Sequence, residues 1–326
     1  MQHTPHRKWL KKAAVIAVFF MSGTLQAAPF AWITNQTGNS VSVIDTDGNR
    51  VIDTLVFPSQ AAPAGVAVSA NGSRVCVSNP DGKSVTVIDG ATRSMLATIP
   101  LGAAPVGIVA DNDGKHCYVA DWYERAVLVL DVRAMRTLGR IAVGNSPAGL
   151  ALNRDGSRLY VANRDDDSVS EIDLSNRQVL RTVRLGKHPF GIELSADGRL
   201  LYAANVESND VSVLDIASWQ VVRSLKVGER PYAIAVARGR LFVTNQGDNT
   251  VSVFDEQDYR LVKTLTVGEY PEGIATHPDG KHIYIANWFS NNVMVLDADT
   301  LTVTVTVPTG NGSRAFGRFM ATVLPQ

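Results

Sequence analysis

RLYVAN at 158–163, followed by SVSEID at 168–173, is the stretch that decides the fold. It recurs seven times. The copies read AWITN, CVSN, CYVAD, LYVAN, LYAAN, LFVTN and IYIAN, and they end in Asn35, Asn79, Asp121, Asn163, Asn205, Asn245 and Asn287. Successive spacings are 44, 42, 42, 42, 40 and 42 residues. Ten residues after each landmark stands an aspartate: Asp45, Asp89, Asp131, Asp173, Asp215, Asp255 and Asp297. A third mark is P-x-G, at Pro63, Pro105, Pro147, Pro189 and Pro271, with Ala233 replacing the glycine after Pro231. Three landmarks sharing one period identify a repeat protein.

Each unit carries four strand-like runs. In the fourth they are GLALN at 149–153, RLYVAN, SVSEID and QVLRTVRLG at 178–186. The alternating Val, Ile, Leu and Tyr residues have the period of strands. Turn pairs such as Asn71-Gly72, Asp113-Gly114, Asp155-Gly156, Asp197-Gly198 and Asp279-Gly280 join the first run to the second. Four strands in about 42 residues predict an all-β protein, a seven-bladed β-propeller with four-stranded blades. The first unit lacks an innermost strand. The terminal RAFGRFM at 314–320 aligns with PEGIATH at 271–277, which predicts that the C-terminus closes the ring by joining the N-terminal blade.

Ahead of the repeats lie Arg7, Lys8, Lys11 and Lys12, the apolar run 13–21, and small residues around Ala27 and Ala28. This is the layout of a secretory signal peptide. It predicts residues 1–27 as the signal and 28–326 as one propeller domain, in the periplasm or secreted. Cleavage removes four of 31 basic groups and no acidic one, leaving 27 against 31. A mildly acidic chain lacks the electrostatic footprint of a nucleic-acid binder. No later apolar run is long enough to span a membrane, and a monomer is expected.

The two cysteines, Cys76 and Cys117, fall in equivalent strands of neighbouring repeats, one step out of register. Stacked sheets lie about 10 Å apart, beyond the usual reach of a disulfide. The expectation is two buried thiols.

The repeated residues have structural explanations. Glycine in P-x-G permits close approach at the axis, and the Asn and Asp landmarks can close strands and open turns as Asx residues do. The strands and the V-G-x-x-P-x-G-I pattern resemble the YVTN-type β-propeller repeats of exported bacterial and archaeal proteins. That wider group includes surface-layer proteins, propeller subunits of periplasmic amine dehydrogenases and proteins accompanying quinone-dependent oxidation. The resemblance implies a fold rather than a chemistry.

Chemical motifs are sparse. There is no C-x-x-C-H haem attachment, no G-x-S-x-G elbow and no Walker-type loop. His277 and His282 bracket the turn PDGK and read as surface polar residues, so no metal site and no cofactor are expected. The run Asp165-Asp166-Asp167 could attract a hard cation, but it lacks a full ligand series and reads as a solvated loop.

Differences between repeats say more. The loops before P-x-G and the loops after YVAN share one face. Flanking the proline place, which is Ala315 in blade one, blades two to four have Ala62/Ala64, Ala104/Val106 and Ser146/Ala148. Blades five, six, seven and one have His188/Phe190, Arg230/Tyr232, Tyr270/Glu272 and Arg314/Phe316. The loops after YVAN add Trp122-Tyr123 and Trp288-Phe289. Aromatics with arginine on a rigid rim have the composition of a recognition surface; the alternative is that they plug the channel. Three functions follow from this reading. The first is a non-enzymatic binding module that holds a protein partner or small ligand on this face. The second is a propeller subunit or accessory of a periplasmic quinone- or haem-dependent dehydrogenase. The third is a lactonase-like hydrolase with a channel metal.

Overall fold

Alternating apolar residues, punctuated by Asx turns, fold into 27 short strands between Phe30 and Ala321, the residues that the computed structural model describes. The signal-peptide segment lies outside these residues. The strands form seven antiparallel sheets in a ring, so the molecule is a seven-bladed β-propeller. Blade four is representative: Pro147–Leu152 is innermost, then Arg158–Asn163, Ser168–Asp173 and, at the rim, Gln178–Arg184. The two middle strands are buried almost throughout, whereas the outer strand alternates toward solvent.

The landmarks behave as side-chain clasps. Asn163 donates to Ser168 Oγ at 3.1 Å and to Ser170 Oγ at 2.9 Å, tying the second strand to the third. Asn35, Asn79 and Asn245 make the same pair of bonds to Ser or Thr, and Asn205 bonds Asp210 and Ser212. Blade three departs in step. Asp121 replaces Asn there, and its cross-strand positions hold Ala126 and Leu128, which have nothing to accept. The aspartate landmarks cap the next turn: Asp173 Oδ1, for example, accepts the Ser175 amide at 2.9 Å.

In every blade the outer strand carries one extra residue opposite the middle of the third, as at Leu180 between the pairs Glu171↔Arg181 and Ile172↔Val179. Such a bulge bends the exposed edge and makes it a poor template for another strand.

The ring closes as the repeat arithmetic requires, although the closing segment is irregular. Blade one has three regular strands, Phe30–Asn35, Ser40–Asp45 and Arg50–Val56. Residues 313–321 fill its inner place. They bond the adjacent strand through Arg314 N to Thr34 O at 2.8 Å and through Trp32 N to Phe319 O at 2.9 Å. They also receive bonds from blade two, Val66 N to Phe316 O and Val68 N to Arg318 O. Gly317, at φ 111°, breaks the ladder between these contacts. Phe319 and Met320 are buried in the core shared by blades one, two and seven.

The expectation of two free thiols is overturned: Cys76 and Cys117 form a disulfide, with Cα atoms 6.9 Å apart. The one-step register offset turns the two side chains toward each other across the gap between blades two and three. The spacing of about 10 Å holds for parallel stacked sheets, but propeller blades converge toward the axis. Each cysteine also stands opposite an alanine on its inner strand, Ala67 beside Cys76 and Ala110 beside Cys117, which leaves room for the second strands to approach within bonding reach.

Two measurements test this architecture. Ending the chain after Gly312 should abolish cooperative thermal unfolding or give aggregates in size-exclusion chromatography; a stable, monomeric truncation would contradict the closure. Denatured, unreduced protein should show no free thiol, and replacing both cysteines by alanine should lower stability by about 3–4 kcal/mol for a closed loop of this length.

Candidate functional site

In each blade the loop leaving the second strand and the loop entering the inner strand rise on one face. Between them opens a cavity of about 780 Å³ at the channel mouth. Its walls contain the residue that directly follows the landmark Asn or Asp in all seven blades: Gln36, Pro80, Trp122, Arg164, Val206, Gln246 and Trp288. Sequence reasoning singled out only Trp122 and Trp288 from this set. The signal was available, because one fixed offset from the landmark identifies all seven.

The space itself reflects the small half of the ring. Ala64, Ala104 and Val106 line one side, while Phe190, Tyr232, Glu272 and Arg314 fill the other. Below the opening Phe190 stacks on Tyr232 with centroids 4.3 Å apart, and Phe316 packs on both at 4.8 and 5.4 Å. All three are at least 94% buried. This trio is a floor that plugs the channel. The channel is therefore plugged at depth, beneath an open cavity lined by aromatic and charged side chains.

Of the twelve residues expected on this surface, nine line the cavity: Trp122, Tyr123, Phe190, Arg230, Tyr232, Tyr270, Glu272, Trp288 and Arg314. Phe316 lies beneath it. His188 turns instead to Glu207, with Nδ1 3.3 Å from Oε2. Phe289 stays outside, stacked on Trp288 at 5.1 Å and against Tyr270 at 5.0 Å. The left-handed backbone at His188, Arg230 and Tyr270 (φ 54°, 54° and 57°) recurs at Ser146 and Ala62. It belongs to the repeat and marks no special strain at the site.

A polar network crosses the bulky half of the mouth, centred on Arg314. Arg314 Nε pairs with Glu272 Oε2; its Nη1 donates to Gln36 Oε1 and its Nη2 to the Tyr232 hydroxyl, both at 2.9 Å. Gln246 Nε2 donates to the other Glu272 oxygen at 2.8 Å. The Arg314 guanidinium also lies 5.0 Å from the Trp288 ring, a cation–π distance. One arginine thus connects blades one, six and seven. Burial pushes the Glu272 carboxyl above the usual carboxylate range, while Arg314 and Gln246 pull against it.

The acidic run is spent on the fold. Asp165 accepts from Ser146 Oγ, Asp166 from the Asn145 amide, and Asp167 from the His188 amide, so loops of blades four and five use these carboxylates. His277 and His282, read from the sequence as surface polar residues, lie close together in the folded turn. With Asp279 they form a group whose ligand-type atoms all lie within 4.8 Å of one another. It lies in the turn between the first two strands of blade seven, on the face opposite the mouth.

A family model described as "Lactonase, 7-bladed beta-propeller" matches residues 98–222, less than half of the chain, in agreement with the ring of seven blades. No curated protein matches the chain. Several solved structures share the fold. A functionally unknown protein from Desulfotomaculum acetoxidans aligns with TM-score 0.74 and 14% identity, over 88% of this chain and 99% of that one. Dihydro-heme d1 dehydrogenase NirN in complex with DHE gives TM-score 0.68 and 16% identity, over 88% and 74%. Kuenenia stuttgartiensis hydrazine synthase gives 0.55 and 22%, over 76% and 99%. At these identities the likeness is one of fold.

The network yields a pH prediction. In Arg314→Ala the burial of Glu272 is no longer opposed by the guanidinium, so its folded pKa, already above the unfolded value of about 4.3, rises further. Stability is then kept below that value and lost as pH rises through the folded pKa. The stability gap to the parent should be small near pH ~4 and widen to about 3–5 kcal/mol near pH ~8. Urea melts at the two pH values measure it; a gap that does not widen would show that Arg314 does not compensate this carboxylate.

Proposed function

We propose that the chain is an exported, YVTN-type propeller that works as a binding module, holding a protein partner or small ligand in the mouth cavity. The observation that carries this reading is the cavity: about 780 Å³, within the range of ligand pockets, open to solvent and bounded by Trp122, Tyr123 and Trp288 with Arg164, Arg230 and Lys83. Aromatic faces and guanidinium groups on a rigid rim supply large contact area at small entropic cost. The chemistry favours an occupant with a flat apolar part and an acidic group. The disulfide supports export, because such bonds persist in oxidising compartments. No helix among the described residues is long and apolar enough to cross a membrane.

A second reading is a propeller that docks a haem- or quinone-bearing chain. It is favoured by the fold shared with hydrazine synthase and with dihydro-heme d1 dehydrogenase NirN. On either reading the same face does the work.

Buried Tyr232 and Phe316 are poor test positions, since removing them damages the floor. Arg230 and Trp288 are better. Arg230→Ala with Trp288→Ala should leave the melting temperature within a few degrees and weaken binding of whatever component the immobilised parent captures from a periplasmic extract by more than about tenfold per strong anchor. The measurement is binding by parent and double variant side by side, with Arg154→Ala on the opposite face as a control. Equal binding by all three would move the site off the mouth. A component that carries haem or quinone would decide for the second reading.

A further inference from the structure

We propose that His277, Asp279 and His282 form a binding site for a divalent transition-metal ion, zinc above all, on the face opposite the mouth. The repeat supplies its own baseline. In blades two to five the first residue of the same turn is Ser69, Asp111, Asn153 or Ser195, and a side-chain oxygen of each accepts the amide five residues on. Blade seven has His277 in that place, where an imidazole replaces the oxygen cap. The capping passes instead to Asp279, whose Oδ1 accepts the amides of Lys281 at 2.6 Å and His282 at 3.2 Å. The fold works without a histidine at this position in four other blades.

The departure creates a ligand set. With Oδ1 held by the turn, Asp279 Oδ2 lies 2.6 Å from His282 Nδ1 and 3.1 Å from His277 Nδ1. Ligands on a tetrahedral zinc, bound at about 2.0–2.1 Å, lie about 3.3 Å apart. To surround an ion the carboxylate must draw back slightly from both imidazoles, and the donor atoms, now within 4.8 Å of one another, must close on a common centre. Two imidazoles and a carboxylate suit zinc and leave a fourth position for water or an outside ligand. His277 has the outer support that metal-bound histidines typically show. Its Nε2 is 3.0 Å from Thr46 Oγ1 of blade one, and its ring stacks on Tyr284 at 5.9 Å. Asp279 and His282 are about one-third exposed, so an ion can reach the site from solvent.

The test uses the mature chain freed of any affinity-tag histidines and stripped with a chelator. Zinc titrated by calorimetry should bind at one equivalent, and cobalt should give the visible absorption of a tetrahedral site. His282→Ala should keep the metal-free melting temperature yet weaken zinc binding by at least about a hundredfold, and Thr46→Val should weaken it by about tenfold. Zinc should raise the melting temperature of the parent but not of His282→Ala. If the three residues are surface ion pairs only, the parent shows no saturable binding. That outcome, or binding that survives His282→Ala, overturns the proposal.

Discussion

Seven inner strands converge on one axis, and the room they leave for one another governs the rest of the molecule. A Cβ built on Gly107 would stand 1.8 Å from the Ala148 carbonyl oxygen of the next blade. At Gly149 the distance to the Phe190 oxygen is 2.2 Å, and at Gly191 it is 2.3 Å to that of Tyr232. No side chain survives such distances, so in these blades the third place of P-x-G is fixed as glycine by the backbone of a neighbouring blade; Ala233 shows that blade six leaves room for a methyl group. Those residues are therefore unavailable for chemistry. What remains free to vary are the positions on either side of the proline and the residue after each landmark asparagine, and it is there that the mouth acquires its character.

The same convergence explains where sequence reading of the fold succeeded and where it failed. Strand count, blade number and ring closure follow from local pattern and simple periodicity. Asn163 with Ser168 and Ser170 is likewise local, since the clasp spans seven residues. The disulfide depends on the distance between two blades at a given radius. The general spacing of flat sheets gives the wrong answer near the axis, where Ala67 and Ala110 let the strands draw together. The outer-strand bulge was equally hidden. It leaves no glycine or turn residue as a marker: the extra place holds an ordinary branched aliphatic in six blades, Leu180 and Val222 among them, and Thr304 in blade seven.

At the mouth, composition was legible and depth was not. The contrast between Ala64 or Val106 and Tyr232 or Glu272 announces an asymmetric surface. It cannot say that Phe190, Tyr232 and Phe316 sink into a stacked floor while Trp122 and Trp288 stand above it. Nor can it show the partners of Arg314, which come from residues 36, 232 and 272. Such contacts belong to the closed ring and have no expression in any one repeat. His277 and His282 flank a turn whose Asp279 looks like every other turn aspartate. Only the folded turn shows its second oxygen set between two imidazoles.

Ring closure also gives a reason for placing charge where a propeller could have used apolar packing. The closing segment is short, irregular and bent at Gly317, so regular ladder pairing alone specifies its register weakly. A slip by two residues would preserve which side chains face inward. It would also withdraw Arg314 from Gln36, Tyr232 and Glu272 together, leaving a carboxylate that is 1% exposed without its cation. Removing one member of such a buried pair costs about 3–5 kcal/mol, a large share of the net stability of an ordinary domain. A hydrophobic residue in place of Arg314 could pack as well in several registers. The ion pair penalises all but one, and in doing so it sets the shape of the mouth whose wall it forms.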